Sequence, residues 1–107
     1  MVVIDPYQEM KGRGLRETII DCLENGRVLL PRLDGGRSHA QERMEERQVS
    51  APEVESTLRK GVHVTNSCDA GKWRYCARRN DIEVVFTFDF DDEGNLLVVI
   101  TVMRKEK

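Results

Sequence analysis

Ile82-Glu83-Val84-Val85-Phe86-Thr87-Phe88-Asp89-Phe90, then Asp91-Asp92-Glu93-Gly94-Asn95, then Leu96-Leu97-Val98-Val99-Ile100-Thr101-Val102-Met103, is the stretch on which the fold turns. In its first part Ile82, Val84, Phe86, Phe88 and Phe90 alternate with Glu83, Val85, Thr87 and Asp89, the period of a strand with one face in a core. The last part is apolar on both faces, which marks an internal strand, and Ile100 is expected with Phe86 and Phe88 among the core anchors. The acidic segment between them has the glycine and length of a hairpin turn. Its likeness to an EF-hand loop fails, because the twelfth position is Ile100 and strands flank it. Upstream, Lys72 to Arg78 also alternates, with Trp73, Tyr75 and Ala77 on one face and Lys72, Arg74, Cys76 and Arg78 on the other. Val62 to Thr65 adds a shorter extended run, followed by a loop from Asn66 to Gly71. The expectation is an antiparallel sheet of about four strands.

The N-terminal half reads as helical. Leu15 to Asn25 places Leu15, Ile19, Ile20, Cys22 and Leu23 on one side, and Asn25-Gly26 is a helix stop. Arg27 to Leu30 is a short extended piece ended by Pro31. Ser38 opens a second helix running to Arg47. Ser50-Ala51-Pro52-Glu53 has the Ser-x-x-Glu form of a capping box, with proline in the first turn where its missing N–H costs nothing. Val54 and Leu58 of that third helix face the core, and Gly61 ends it after Arg59-Lys60. Helices followed by a sheet make an α+β fold. The organisation expected is an extension over residues 1–36 with one helix, then a helical hairpin and sheet over 37–107, all in one compact domain.

With 107 residues, 39% hydrophobic and 34% charged, the chain can close a core without a metal or disulfide framework. Cys22, Cys68 and Cys76 are odd in number and form no Cys-x-x-Cys pair, which fits a reducing, cytoplasmic setting. No run approaches a membrane span and the start carries no export pattern. Net charge is −2, which argues against a general nucleic-acid binder, but the charge is uneven. Residues 1–26 carry −2, residues 27–79 carry +4 and residues 80–107 carry −4. A basic patch on an acidic protein is compatible with that distribution.

The basic segment contains Ser38-His39-Ala40-Gln41-Glu42-Arg43-Met44-Glu45-Glu46-Arg47. Ala40 and Met44 form a narrow apolar seam, while His39, Arg43 and Arg47 stack at four-residue spacing on a neighbouring face. Like charges so spaced repel by a few tenths of a kcal/mol, so local helix stability does not explain the arginines. Two readings stand side by side. One is a solvated helix face, with Glu42, Glu45 and Glu46 balancing the charge. The other is an anion-binding stripe headed by a titratable imidazole.

His39-Ala40-x-x-Arg43-Met44-x-x-Arg47, Val49-Ser50, the Val54/Leu58 helix and Gly61 resemble the uncharacterised bacterial domain-of-unknown-function 4258 family. Trp73-Arg74-Tyr75 and Val99-Ile100-Thr101-Val102 extend the resemblance, which covers about Arg37 to Met103. That family is similar to small toxins of the RelE/ParE type, in which helices pack on an antiparallel sheet. The resemblance implies basic side chains that cleave or bind RNA, and an antitoxin protein that neutralises them.

RNA cleavage by a 2′-hydroxyl needs a base, an acid and cations around the phosphorane. On the toxin-like reading His39 and Arg43 are the catalytic pair. A helix N-terminus lowers the proton affinity of His39. Arg47, Arg74 and Arg78 then bind the substrate phosphates. No cofactor or metal is expected. The candidate partners are RNA, an antitoxin or a second copy of the chain, and no membrane. The other function class is a non-catalytic interaction module of the same fold, whose His/Arg stripe pairs with an acidic partner or with its own sheet. Trp73 and Tyr75 read as core rather than base-stacking residues, and His63, between valines, as structural.

Overall fold

The computed structural model describes residues 5, 7–29 and 39–105, with the side chains of 39–41 and 69 outside the description. Three helices lie on one face of a five-stranded sheet. The elements run α1 (Gly12–Glu24), β1 (Val28–Leu29), α2 (His39–Glu46), α3 (Ala51–Lys60), β2 (Val62–Asp69), β3 (Lys72–Arg79), β4 (Ile82–Asp91) and β5 (Gly94–Arg104). The strand order is β1-β5-β4-β3-β2. The α+β class holds, but the sheet is mixed and has five strands, because β1 pairs parallel to β5 through Val28↔Leu97 and Leu29↔Val98. Two residues carry no readable periodicity, so this strand is invisible to alternation.

The helix ends follow from local chemistry. Gly26 at φ 67 closes α1, with Gly26 N–H donating to Leu23 O and Arg27 N–H to Cys22 O. That is a Schellman motif, which satisfies carbonyls the helix leaves open. The α1 start lies at Gly12 rather than at Leu15, so the two early glycines fall inside its first turn. At α3 the capping box forms as the sequence predicts: Glu53 N–H donates to Ser50 Oγ, and the Glu53 carboxylate accepts from Ser50 N–H. The opening of α2 at Ser38 lies outside the described residues.

Strand β2 is longer than the alternation predicts. The expected loop from Asn66 to Gly71 shrinks to Ala70-Gly71, whose φ values of 52 and 82 are those of a tight hairpin turn. A register shift between Thr65 and Ser67 hides the continuation, because a bulge resets the face on which each side chain falls. A second shift gives β5 the extra residue: Val85 pairs with Thr101 and Phe86 with Val99, leaving Ile100 unopposed. Leu97, Val99 and Val102 therefore all reach the core, while Ile100, expected as a core anchor, is only half-buried. β5 is internal, between β1 and β4, as its apolar faces require.

The core joins Leu15, Ile19 and Cys22 of α1 to Val54 and Leu58 of α3 over Tyr75, Ala77, Ile82, Val84, Phe86, Phe88, Leu97, Val99 and Val102. Trp73 and Met44 pack against it half-buried. Phe90 keeps the register of its expected face but lies near the turn, where it is 51% exposed. The opposite sheet face carries Arg74, Cys76 and Arg78 of β3 beside Thr87, Val85 and Glu83 of β4.

Candidate functional site

α2 lies along β5, with Met44 directed at the core. His39 is its first residue, and the role expected for its ring concerns a side chain outside the described residues. Arg43 Nη1 donates to Glu46 Oε2 at 2.8 Å, one turn along the same helix. Arg47 turns inward instead, and its Nη1 donates to the Val102 carbonyl at 2.6 Å. β1 pairs with β5 only at Leu97 and Val98, so Val102 lies on a length of β5 beyond that strand. Arg47 thus serves a β5 carbonyl that, among the described residues, no neighbouring strand covers.

Arg74 and Arg78 stand elsewhere. Both are on β3, two strands from β5, on the face opposite to Tyr75 and Ala77 and so opposite to the helices. Arg78 Nε donates to its cross-strand neighbour Glu83 at 3.2 Å, and that carboxylate raises the Arg78 pKa further. Lys72 on the same side of β3 pairs with Asp89 at 3.2 Å. The structure keeps Arg43 of α2 beside Arg47, which lies just past the end of that helix, and separates both from Arg74 and Arg78. Exposed pairs of this kind add little stability, typically below ~1 kcal/mol.

One arginine absent from the sequence reading organises the region. Arg104, at the end of β5, donates Nη1 to the Gln48 carbonyl at 3.1 Å and Nη2 to Glu53 Oε2 at 2.6 Å. Its Nε stands 3.4 Å from Asp81 Oδ2, yet is buried without a hydrogen-bond partner. It ties the α2–α3 turn and the α3 capping box to the β3–β4 turn. Hydrogen bonds from the Ser50 backbone and side chain, then the Arg104 charge, hold the Glu53 carboxyl below its usual range. Nothing local in the sequence announces this hub, because its hydrogen-bond partners Gln48 and Glu53 lie 56 and 51 residues away.

Beside it a cavity of about 200 Å³ is lined by Glu46, Arg47, Gln48 and Arg104. A second cavity, of about 280 Å³, lies between the helices and β5. Leu23, Val28, Met44, Val54, Leu58 and Val99 make it apolar, and among the described residues Glu55 is the one ionisable group of its lining.

The buried thiols are poor nucleophiles. Burial pushes Cys76 up to about 12, aided by Glu83, and Cys22 up to about 11, so neither supplies a thiolate near neutrality. His63 is structural in the way its position implies. Its Nε2 donates to the Leu58 carbonyl at 2.6 Å, near the C-terminal end of α3. Burial lowers its pKa below the ordinary 6.5, while the Leu58 bond opposes the shift and Arg16 adds to it.

The unfolded chain binds that proton more readily than the folded one. The His63 contribution is therefore intact above pH 6.5 and lost as pH falls through that value toward the folded-state pKa. Urea midpoints of His63→Gln should fall less than those of the wild type between about pH 7.5 and 5.5. Parallel pH profiles would remove His63 as the sensor.

A family model described as "Domain of unknown function (DUF4258)" matches residues 37–104. The chain belongs to the DUF4258 family. The matched span runs from α2 to the end of β5 and includes every residue of the Arg47/Arg104 cavity, whereas α1 and β1 precede it. No curated protein matches the chain. Among the described residues of this DUF4258 protein, no helix is long and apolar enough to cross a membrane.

Proposed function

We propose that this DUF4258 domain is a non-catalytic protein-interaction module whose α2 arginines face an acidic partner. The observation that supports it best is the engagement of those arginines in the fold itself. Arg47 holds the Val102 carbonyl and Arg43 holds Glu46. A nuclease of the expected kind needs its base, acid and cations converging on one phosphate. Here the five candidate residues are split between α2 and the far face of β3.

A second reading, a RelE/ParE-like endoribonuclease held by an antitoxin, draws support from Lys72, Arg74 and Arg78 following one another along the helix-free face of β3. The resemblance to such toxins read from the sequence points the same way. Purified protein incubated with structured and unstructured RNA, with and without chelator, separates the two. The interaction reading expects no cleavage by the wild type. It also expects Arg47→Ala to lower the denaturation midpoint by the equivalent of about 1–3 kcal/mol, since a carbonyl loses a charged donor. Metal-independent cleavage that disappears in His39→Ala and Arg43→Ala, with the fold intact, would overturn it in favour of the endoribonuclease.

A further inference from the structure

The cavity at the α2–α3 turn is small, about 200 Å³, and two guanidinium groups line it. Their charges are not equally spent. Arg104 stands between Glu53 and Asp81, at 2.6 and 3.4 Å, and is fixed by the Gln48 carbonyl as well. Arg47 is bonded through Nη1 to a neutral carbonyl, and among the described residues no carboxylate lies within salt-bridge reach of it. Glu46, the acidic residue of the lining, already pairs with Arg43 at 2.8 Å. Among the described residues, Arg47 is thus the lining guanidinium whose charge no carboxylate neutralises directly. The Nε/Nη2 edge of Arg47, opposite the nitrogen that holds Val102, is the edge that binds a carboxylate through two parallel hydrogen bonds.

The backbone beside it carries strain that a glycine would avoid. Gln48 has φ 55. Its N–H donates to Glu45 O and Val49 N–H donates to Met44 O, which makes Gln48 the left-handed residue of a Schellman motif. Gly26 fills the corresponding place after α1. A non-glycine residue there costs about 1 kcal/mol. Gln48 lines the cavity, and a glutamine brings to such a position an amide that can donate to an oxyanion, which glycine lacks.

We propose that the cavity between Arg47, Gln48 and Arg104 receives one side-chain carboxylate of an acidic partner protein. The proposal rests on the interaction-module reading and names its point of contact. Arg47, the one lining guanidinium that no described carboxylate neutralises, suits a single monoanionic group. A polyanionic backbone would bring further phosphates against Glu46, Glu53 and Asp81, which flank the same arginines.

The test is an amide-resolved NMR titration of the full chain with a capped peptide bearing one glutamate and with its glutamine counterpart. A 2′-O-methyl RNA oligonucleotide, which cannot be cleaved, serves as the competing probe. The glutamate peptide should give saturable shifts confined to residues near 46–48 and 102–104, and the glutamine peptide none. Arg47→Gln keeps a donor for the Val102 carbonyl while removing the charge, and should weaken binding about tenfold or more. Gln48→Gly should weaken binding while raising the thermal midpoint, a combination that loss of fold cannot produce. Absence of saturable shifts, or equal binding by Arg47→Gln, overturns the carboxylate site. Without RNA cleavage, that result leaves the interaction module standing with its contact elsewhere. Tighter saturation of the same amides by the oligonucleotide overturns both.

Discussion

Phe86→Ala is expected to cost about 3–5 kcal/mol of stability, close to the whole margin of a small domain. Phe86 is wholly buried at the centre of an aromatic triad. Its ring lies 5.8 Å from that of Tyr75, nearly parallel, and 5.7 Å from that of Phe88, edge to face. Tyr75 and Phe88 are 5.7 Å apart. These spacings are those at which ring quadrupoles attract, so truncation removes pairwise terms as well as buried area. The neighbours cannot easily fill the void, because the Tyr75 hydroxyl is held by the Met10 N–H at 2.8 Å. Phe90→Ala supplies the contrast. It removes the same side chain four residues on, where it is 51% exposed, and should change stability by less than about 0.5 kcal/mol. Urea denaturation of both variants decides the matter. Equal midpoints for Phe86→Ala and the wild type would mean that the helices cover the other sheet face.

The alternation that places Phe86 inward is the part of the fold most legible in the sequence. It assigns Tyr75, Ala77, Val84, Phe86 and Phe88 to one face correctly, because side chains on a regular strand have no freedom to do otherwise. The reading falters where regularity does. The shifts at Thr65/Ser67 and Val85/Phe86 each reset the alternation, which turned part of β2 into an expected loop and Ile100 into an expected core residue. The short parallel β1 owes its place to β5 rather than to its own residues.

At the candidate site the same division appears. Four-residue spacing puts Arg43 and Arg47 on one helix face, and a helix cannot arrange them differently. What each guanidinium bonds to depends on residues distant in sequence. Val102 is fifty-five positions from Arg47, and Gln48 fifty-six from Arg104. Spacing can therefore propose a stripe but not its occupancy, and Arg104, which has no stripe, escapes the reading altogether.

Gly61 ends α3 as its position in the sequence implies, but space rather than conformation selects glycine there, and it yields the sharpest stability test. As a helix stop it suggests a left-handed glycine, yet its φ is −75 and its ψ 174, a conformation open to any residue. The requirement is space. A Cβ added there would stand 2.4 Å from Thr57 O, 2.7 Å from Arg78 O and 3.1 Å from the Arg78 carbonyl carbon. All three are backbone atoms, so no side-chain rotation relieves the clash. Moving Thr57 disturbs the last turn of α3, where Gly61 N–H donates to Thr57 O at 2.9 Å. Moving Arg78 disturbs its pairing with Val62 at the start of β2. Gly61→Ala is therefore expected to cost about 3 kcal/mol or more, at the upper end of overpacking effects. In a domain of this size that lowers the thermal midpoint by more than about 10 °C. Gly14→Ala is the control, since nothing lies within 4 Å of its added Cβ. As a glycine within α1 it should gain about 0.5–1 kcal/mol from the same substitution. A Gly61→Ala midpoint matching the wild type would mean that α3 and β3 can separate without loss, and the close helix–sheet approach would then not be what selects glycine there.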